Sequence, residues 1–467
     1  MKMTGYLLKS TIVGALGGLL FGFDTAVIAG TTQQLTTIYH LTSFTLGLTV
    51  FIGLLGTVIG AMSAGVIGQR IGGREALRIM AVLYIISALG CAFAWDWPSL
   101  LVFRLIGGLG IGGSSVLGPV YIAELAPAKW RGRMVGLFQI NIVAGILLAY
   151  LSNYLIAMLN LGLLQWRWQL GVAALPAVLF LVMLYGIPRS SRWLVTTNRT
   201  DEAREVLDMM GSPDSEAELH EIMDSIHMER GMAAEPLFKR AYRLPIFLAI
   251  SIGMFNQLSG INAILYYSNY IFAAAGFNQL SGALQTVLIG FMNLLATVLG
   301  MSLIDKIGRK TLLLIGSVGT AVCLSGVAAI FFTKSHANAL VWFLVGYISF
   351  FAISQGAVIW VYISEVFPNR VRAKGQSLGS SSHWIMNAII SLAFPILAKG
   401  ERIPPSTHAF LNPFIHLVNP ILQRTSPGVP FIFFGCMMAL QFVIVLMFYP
   451  ETKGISLEQL QHKLGIE

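Results

Sequence analysis

Long apolar runs, separated by short charged connections, organise this 467-residue chain. Stretches of about 20 apolar residues suffice to span a hydrocarbon core. They fall near 8–30, 44–68, 77–95, 99–122, 134–158, 169–187, 244–273, 281–304, 311–332, 340–363, 376–398 and 430–449, and predict twelve transmembrane helices. Asp24 and Arg104 break this pattern by standing inside runs that otherwise read as membrane spans. A charge at such a place costs at least about 2.5–3.5 kcal/mol on insertion scales, so it persists only when paired or used. Asp24 lies shortly before the first run ends and Arg104 shortly after the fourth begins, which puts both at one depth below the same face. They read as a pair lining a polar cavity.

Composition agrees with a polytopic membrane protein. Hydrophobic residues make up 56% and charged residues 11%, against about 25% charged in soluble domains. With the N-terminus cytoplasmic, 24 of the 30 Lys and Arg residues fall in inner segments. Arg167, Lys334, Lys399, Arg402 and Arg424 fall outside, and Arg104 lies within a span. This bias predicts a multi-pass protein of the cell membrane with both termini cytoplasmic. The net charge of +9 is then a topological signal and calls for no nucleic acid. The first run is too long for a signal-peptide core and contains Asp24, so it reads as a retained helix. Cys91, Cys323 and Cys436 are isolated in apolar runs and read as packing residues.

The chain also contains a parallel duplication. Residues 69–74 after the second run correspond to 305–310 after the eighth, and Glu124 with Arg131 corresponds to Glu365 with Arg372. Six spans per copy give both copies the same orientation. The predicted domains are an N-terminal six-helix bundle over 1–187, a cytoplasmic helical linker over 188–243 and a C-terminal bundle with a short tail over 244–467. The linker holds 11 of the 21 acidic residues, with Thr200 as an expected helix cap. It reads either as a solvated spacer or as a latch touching both bundles. The proline-rich stretch 399–428 reads as a long outer loop, either variable or lid-like.

Gly108-Leu109-Gly110-Ile111-Gly112-Gly113 matches the dinucleotide-binding spacing but follows no strand, so close helix packing is the better reading. Gly14, Gly18 and Gly22 form a small-residue face on the first helix, and Asp24 points away from it. Asp24 and Arg104 admit three roles: a structural ion pair, a substrate counter-ion, or a proton-coupling pair. The third is favoured, because a desolvated carboxylate that parts from its guanidinium takes up a proton. The second half carries uncharged polar groups: Asn256, Gln257 and Asn262 on the seventh helix, Asn293 on the eighth, and His383 with Asn387 on the eleventh. Gln139 adds an amide in the first half, and Trp360 and Trp384 offer flat faces. Each alone is more often an interhelical hydrogen bond; together they favour a neutral polyol. Ser259 and Gly260 permit a local break in the seventh helix that would line a cavity. At the inner ends, Glu124 with Arg131 and Glu365 with Arg372 are expected charge partners beside Arg70, Arg74, Asp305 and Arg309. They read as a gate that closes and opens.

These motifs resemble the sugar porter family of the major facilitator superfamily. The resemblance rests on Gly22-Phe23-Asp24-Thr25, Arg104 to Gly108, Glu124 to Gly132, Gln257 with Gly260 and Asn262, Asp305 to Lys310, Ser364 to Arg372, and Pro450 to Gly454, and it covers essentially the whole chain. It implies an all-α integral membrane protein of two pseudo-symmetric six-helix bundles. It also implies sugar contact by Gln139, Gln257, Asn262, Asn293 and Trp360, and proton coupling through Asp24 near Arg104. Facilitators of the family generally lack an acid at the Asp24 position. The sequence departs from the family pattern at Asn256, His383, Ala357 and Arg189, and in the length of 399–428. The expected activity is import of a neutral monosaccharide with a proton by a monomeric carrier in a lipid bilayer, with no cofactor and no metal. The alternatives are a proton-independent facilitator or a membrane sugar sensor. No nucleophile–base set argues for an enzyme.

Overall fold

In a computed structural model the chain is described over residues 4–127, 130–231, 235–368, 370–399, 426–455, 459–460, 464 and 466, without the side chains of 131, 228–231 and 373. Among these residues twelve helical spans are long and apolar enough to cross a membrane. They are α1 (Gly5–Gly30), α2 (Ser43–Ile71), α3 (Gly73–Ala92), α4 (Trp97–Leu125), α5 (Gly132–Met158), α6 (Gly162–Gly186), α7 (Arg240–Ala274), α8 (Gln279–Ile307), α9 (Arg309–Thr333), α10 (Ala339–Glu365), α11 (Lys374–Lys399) and α12 (Val429–Phe448). The described residues contain no strand. Most of the predicted outer loop, 400–425, lies outside the described residues.

Local chemistry sets several helix ends. Asp96 accepts from the Ser99 backbone N–H at 2.8 Å while the Ser99 hydroxyl accepts from the Asp96 N–H at 3.2 Å, a reciprocal cap that starts α4. α6 begins earlier than its apolar pattern predicts. Arg167 is helical despite its charge because its guanidinium donates to the Ala92 carbonyl at the end of α3, 2.7 Å away, and lies over the Trp166 ring. The expected cap at Thr200 is not made: the helix Thr200–Met210 starts at that residue, with Arg199 before it and no side-chain cap bond. Arg199 instead pairs with Glu202 at 2.6 Å.

The chain divides into two compact units, Met1–Val27 with Ile52–Ile156 and Leu164–Ala234, and Ile28–Phe51 with Ala157–Leu163 and Glu235–Glu467. In the first, a Cβ on Gly22 of α1 would overlap the Ile142 carbonyl of α5, and one on Gly112 of α4 would overlap the Thr57 carbonyl of α2. Small residues thus bring backbones together where lipid supplies no hydrophobic drive between helices. The Gly108–Gly113 run is therefore packing surface. The segment 188–243 is shared between the units. Leu194, Val206, Leu207, Met210 and Ile226 join the first unit's core with Leu7, Leu20, Tyr121 and Phe180, while Leu237 and Tyr242 join the second's. Thr4 donates to the Met210 carbonyl at 3.2 Å, and Trp193 to that of Gln69 at 3.0 Å. The linker helices therefore dock on the first unit through an apolar face.

Candidate functional site

Within the first unit, Asp24 of α1 faces α4, and an Arg104 Nη1 lies 3.6 Å from its Oδ2. This is an ion pair too long for a charge-assisted hydrogen bond of about 2.7–2.9 Å. Arg104 is buried and its Nε has no hydrogen-bond partner among the described residues. A Cβ on Gly53 would meet Arg104 Nη2 at 3.2 Å, so the missing side chain leaves room for the guanidinium, while one on Gly107 would overlap Ser87 Oγ. Tyr84 of α3 and Ser114 of α4 bond each other at 3.0 Å. The arrangement holds two opposite charges close but loosely engaged, which is what a separable pair requires.

Within the second unit, α7 breaks where Ser259-Gly260 predicts. Gly260 is left-handed at φ +86°, and its missing Cβ leaves room for the Phe434 ring. The Ser259 hydroxyl donates to the Asn256 carbonyl at 2.6 Å, and Tyr347 donates to the Ser259 carbonyl at 3.0 Å, so groups freed by the break are taken up. Around the break the amides connect. Asn262 Nδ2 donates to Gln257 Oε1 at 3.0 Å, and Gln257 Nε2 donates to Asn256 Oδ1 at 3.1 Å. The same Nε2 lies 3.2 Å from His383 Nε2 on α11. The His383 ring sits 5.1 Å, centre to centre, from both Trp360 and Trp384. Asn387 bonds Tyr266 at 3.4 Å and accepts from Ser391 at 3.1 Å.

At the end of α10, the Arg309 guanidinium grips Glu365 in two places, Nη2 to Oε1 at 2.8 Å and Nε to Oε2 at 3.2 Å, and bonds Asp305 at 2.9 Å. Thr452 donates to Glu365 at 2.6 Å. Glu451 accepts from the backbone N–H groups of Arg309 (2.9 Å), Lys310 (3.1 Å), Thr452 (3.0 Å) and Lys453 (3.0 Å). It thereby caps α9 from a distant segment. Burial opposes ionisation of Glu451, but these four donors prevail and hold its carboxyl below the ordinary value.

Residues 10–464 match the family described as "Sugar (and other) transporter". The chain is 34% identical to the D-xylose-proton symporter of Escherichia coli (strain K12), covering 98% of this chain and 96% of that protein. It is 33% identical to the arabinose-proton symporter of Bacillus subtilis (strain 168), covering 99% and 96%. A solved structure titled "Inward open conformation of the xylose transporter XylE from E. coli" superposes with a TM-score of 0.83 at 33% identity, covering 98% of this chain and all of that one. The chain belongs to the sugar transporter family. Its fold is the twelve-helix, all-α membrane architecture of the major facilitator superfamily.

In this sugar transporter the structure joins Asn256, Gln257, Asn262, His383, Trp360 and Trp384 into one cluster. Asn387 is buried nearby on α11, and Asn293 is buried on α8 outside this chain of bonds. Gln139 is half-buried in the first unit. The pairing expected at the helix ends is corrected. Glu365 takes Arg309 as its partner, one turn after Asp305, whereas Arg372 turns back to the Phe367 carbonyl at 3.3 Å. Arg74 pairs with Glu75 at 2.7 Å, and Arg70 is exposed. Glu124 bonds Ser190 beside Arg192; the Arg131 side chain lies outside the described residues. Two polar residues escaped notice: Gln355 of α10 and Gln441 of α12, which bond each other at 2.8 Å. Both are amides inside apolar runs, the criterion that singled out the others.

Proposed function

We propose that this chain imports a neutral monosaccharide together with a proton by alternating access. The observation that carries the reading is the Asp24–Arg104 pair, a partly buried carboxylate 3.6 Å from a buried guanidinium. An intramembrane carboxylate held by one guanidinium at 3.6 Å has little geometry to lose when the two part, and protonation then removes its desolvation cost. The uncharged amide and tryptophan cluster at the α7 break suits sugar hydroxyls and C–H faces. Gln257, Asn262, Trp360 and His383 are assigned to sugar binding, with Gln139, Asn256, Asn293, Trp384 and Asn387 supporting. The named activities of the xylose and arabinose relatives support both the substrate class and the proton.

The bundles 1–187 and 244–467 are the two moving halves of this carrier and 188–243 their connection. Asp305, Arg309, Glu365, Arg372, Arg70, Arg74, Glu124 and Arg131 contribute to the inner gate. The protein works as a monomer in the cell membrane with both termini in the cytoplasm. Purified protein in liposomes should take up labelled xylose, arabinose or glucose, and an inward proton gradient should drive accumulation above the outside concentration. Equilibration without accumulation would identify a facilitator instead. No uptake of any pentose, hexose or inositol would sink the reading.

A further inference from the structure

Three features of the second unit stand outside the transport reading so far. The helix α10 contains a π turn, Ala352–Gly356; Gln441 is the buried amide of α12; and Gln355 Oε1 is buried with no hydrogen-bond partner among the described residues. π turns occur mostly as single widened turns and frequently at functional sites. Here the widened turn lies beside the sugar cluster: the Gln355 backbone carbonyl accepts from Asn256 Nδ2 at 3.5 Å. The Gln355 side chain is tied down in the opposite sense, its Nε2 donating to Gln441 Oε1 at 2.8 Å and to Met438 Sδ at 3.1 Å.

A backbone carbonyl accepts and never donates, and that fixes the direction of every bond after it. Asn256 must turn its NH2 to Gln355, which leaves Oδ1 for Gln257. Gln257 must then turn its NH2 to Asn256, with the second hydrogen toward His383, which leaves Oε1 for the Asn262 NH2. Both ends of Gln257 are thereby used. Asn262 is half-buried: its Oδ1 is an acceptor with no partner among the described residues, and the second hydrogen of its NH2, which stays on the nitrogen already engaged by Gln257, is its one remaining donor.

We propose that Asn256, Gln257 and Asn262 form a one-way relay rooted at the Gln355 carbonyl and held by Gln441, so that Asn262 offers its unengaged carbonyl oxygen to the sugar and the site favours a hydroxyl that donates. Gln355 and Gln441 are positioning residues in this scheme. The inference rests on the sugar-binding reading above.

Fluorine in place of a hydroxyl accepts weakly and cannot donate, so paired deoxy and deoxyfluoro analogues at each ring position read the polarity of the site. Calorimetric competition against the best-bound sugar, in the wild type, Gln441→Met and Gln355→Met, provides the test. In the wild type one ring position should show a deoxyfluoro analogue as weak as the deoxy analogue, about two- to tenfold below the parent sugar. In either variant the parent-to-deoxyfluoro ratio at that position should fall toward one. A structural role alone would lower yield or rate and leave that ratio untouched. Deoxyfluoro analogues that outbind the deoxy ones at every position of the wild type would overturn the relay even where neither variant folds, and so would an unchanged ratio in a folded variant. A wild type that binds no sugar overturns the transport reading and the relay together; one that binds sugar with unaltered variants overturns the relay alone.

Discussion

Asp24 illustrates what a single residue discloses. Charge inside an apolar run is costly enough that it calls for a partner or a use, and the structure sets Arg104 against it as their depths required. The partner of Glu365 was not legible in the same way. Arg372 and Arg309 stand at comparable helix ends, and which one reaches the carboxylate depends on helix rotation, which spacing along the chain does not encode. Gln355 and Gln441 were legible by type but not by connection, since nothing in sequence joins α10 to α12. The decisive single substitution is Asp24→Asn. It removes the titratable group while keeping shape, so gradient-driven accumulation should vanish while sugar binding or exchange persists. Asn also leaves the buried Arg104 without its counter-charge, so the variant should melt earlier, losing no more than about 3–5 kcal/mol, the cost of breaking a fully buried pair. Concentration of sugar by a folded Asp24→Asn protein under a proton gradient would refute the coupling role.

At the scale of elements, the twelve spans and the break in α7 follow from apolar run length and from Ser259-Gly260. The docking of the helices Ser191–Thr196, Thr200–Met210 and Ser215–Gly231 on the first unit did not, because their abundant charges mask an apolar face carried by Leu194, Val206, Leu207 and Met210. The Pro450–Gly454 motif likewise gains its meaning only in three dimensions, as a remote cap. Gly308, at φ +104°, starts α9 under Glu451, and a Cβ there would meet the carboxylate at 2.5 Å. Replacing Glu451 by Ala should cost about 0.5–2 kcal/mol, as loss of a helix cap does. Because the folded state holds this carboxyl below its ordinary value of 4.5, its contribution is complete above that value and fades as pH falls through the folded value. The melting temperature of detergent-purified wild type should therefore exceed that of Glu451→Ala most near neutral pH, and the gap should close under acid. A gap that widens on acidification would show that the backbone donors do not stabilise the charged form.

For the whole molecule, orientation in the membrane is written in the distribution of basic residues. An inverted chain would place 24 Lys and Arg residues on the outer side and leave five within, against the bias that insertion imposes. The large helical segment 188–243 would also have to be translocated with its 19 charged residues. Two exposed positions report the answer: Asn338, between α9 and α10, and Glu221, on the helix Ser215–Gly231. Cys91 and Cys323 are buried and Cys436 is exposed on α12, so a Cys436→Ser background leaves an introduced thiol as the accessible one. A membrane-impermeant maleimide should label Asn338→Cys in intact cells and Glu221→Cys only after permeabilisation. The opposite pattern would place the termini outside and overturn the proposed direction of import; labelling of both in intact cells would show that the chain does not keep one orientation.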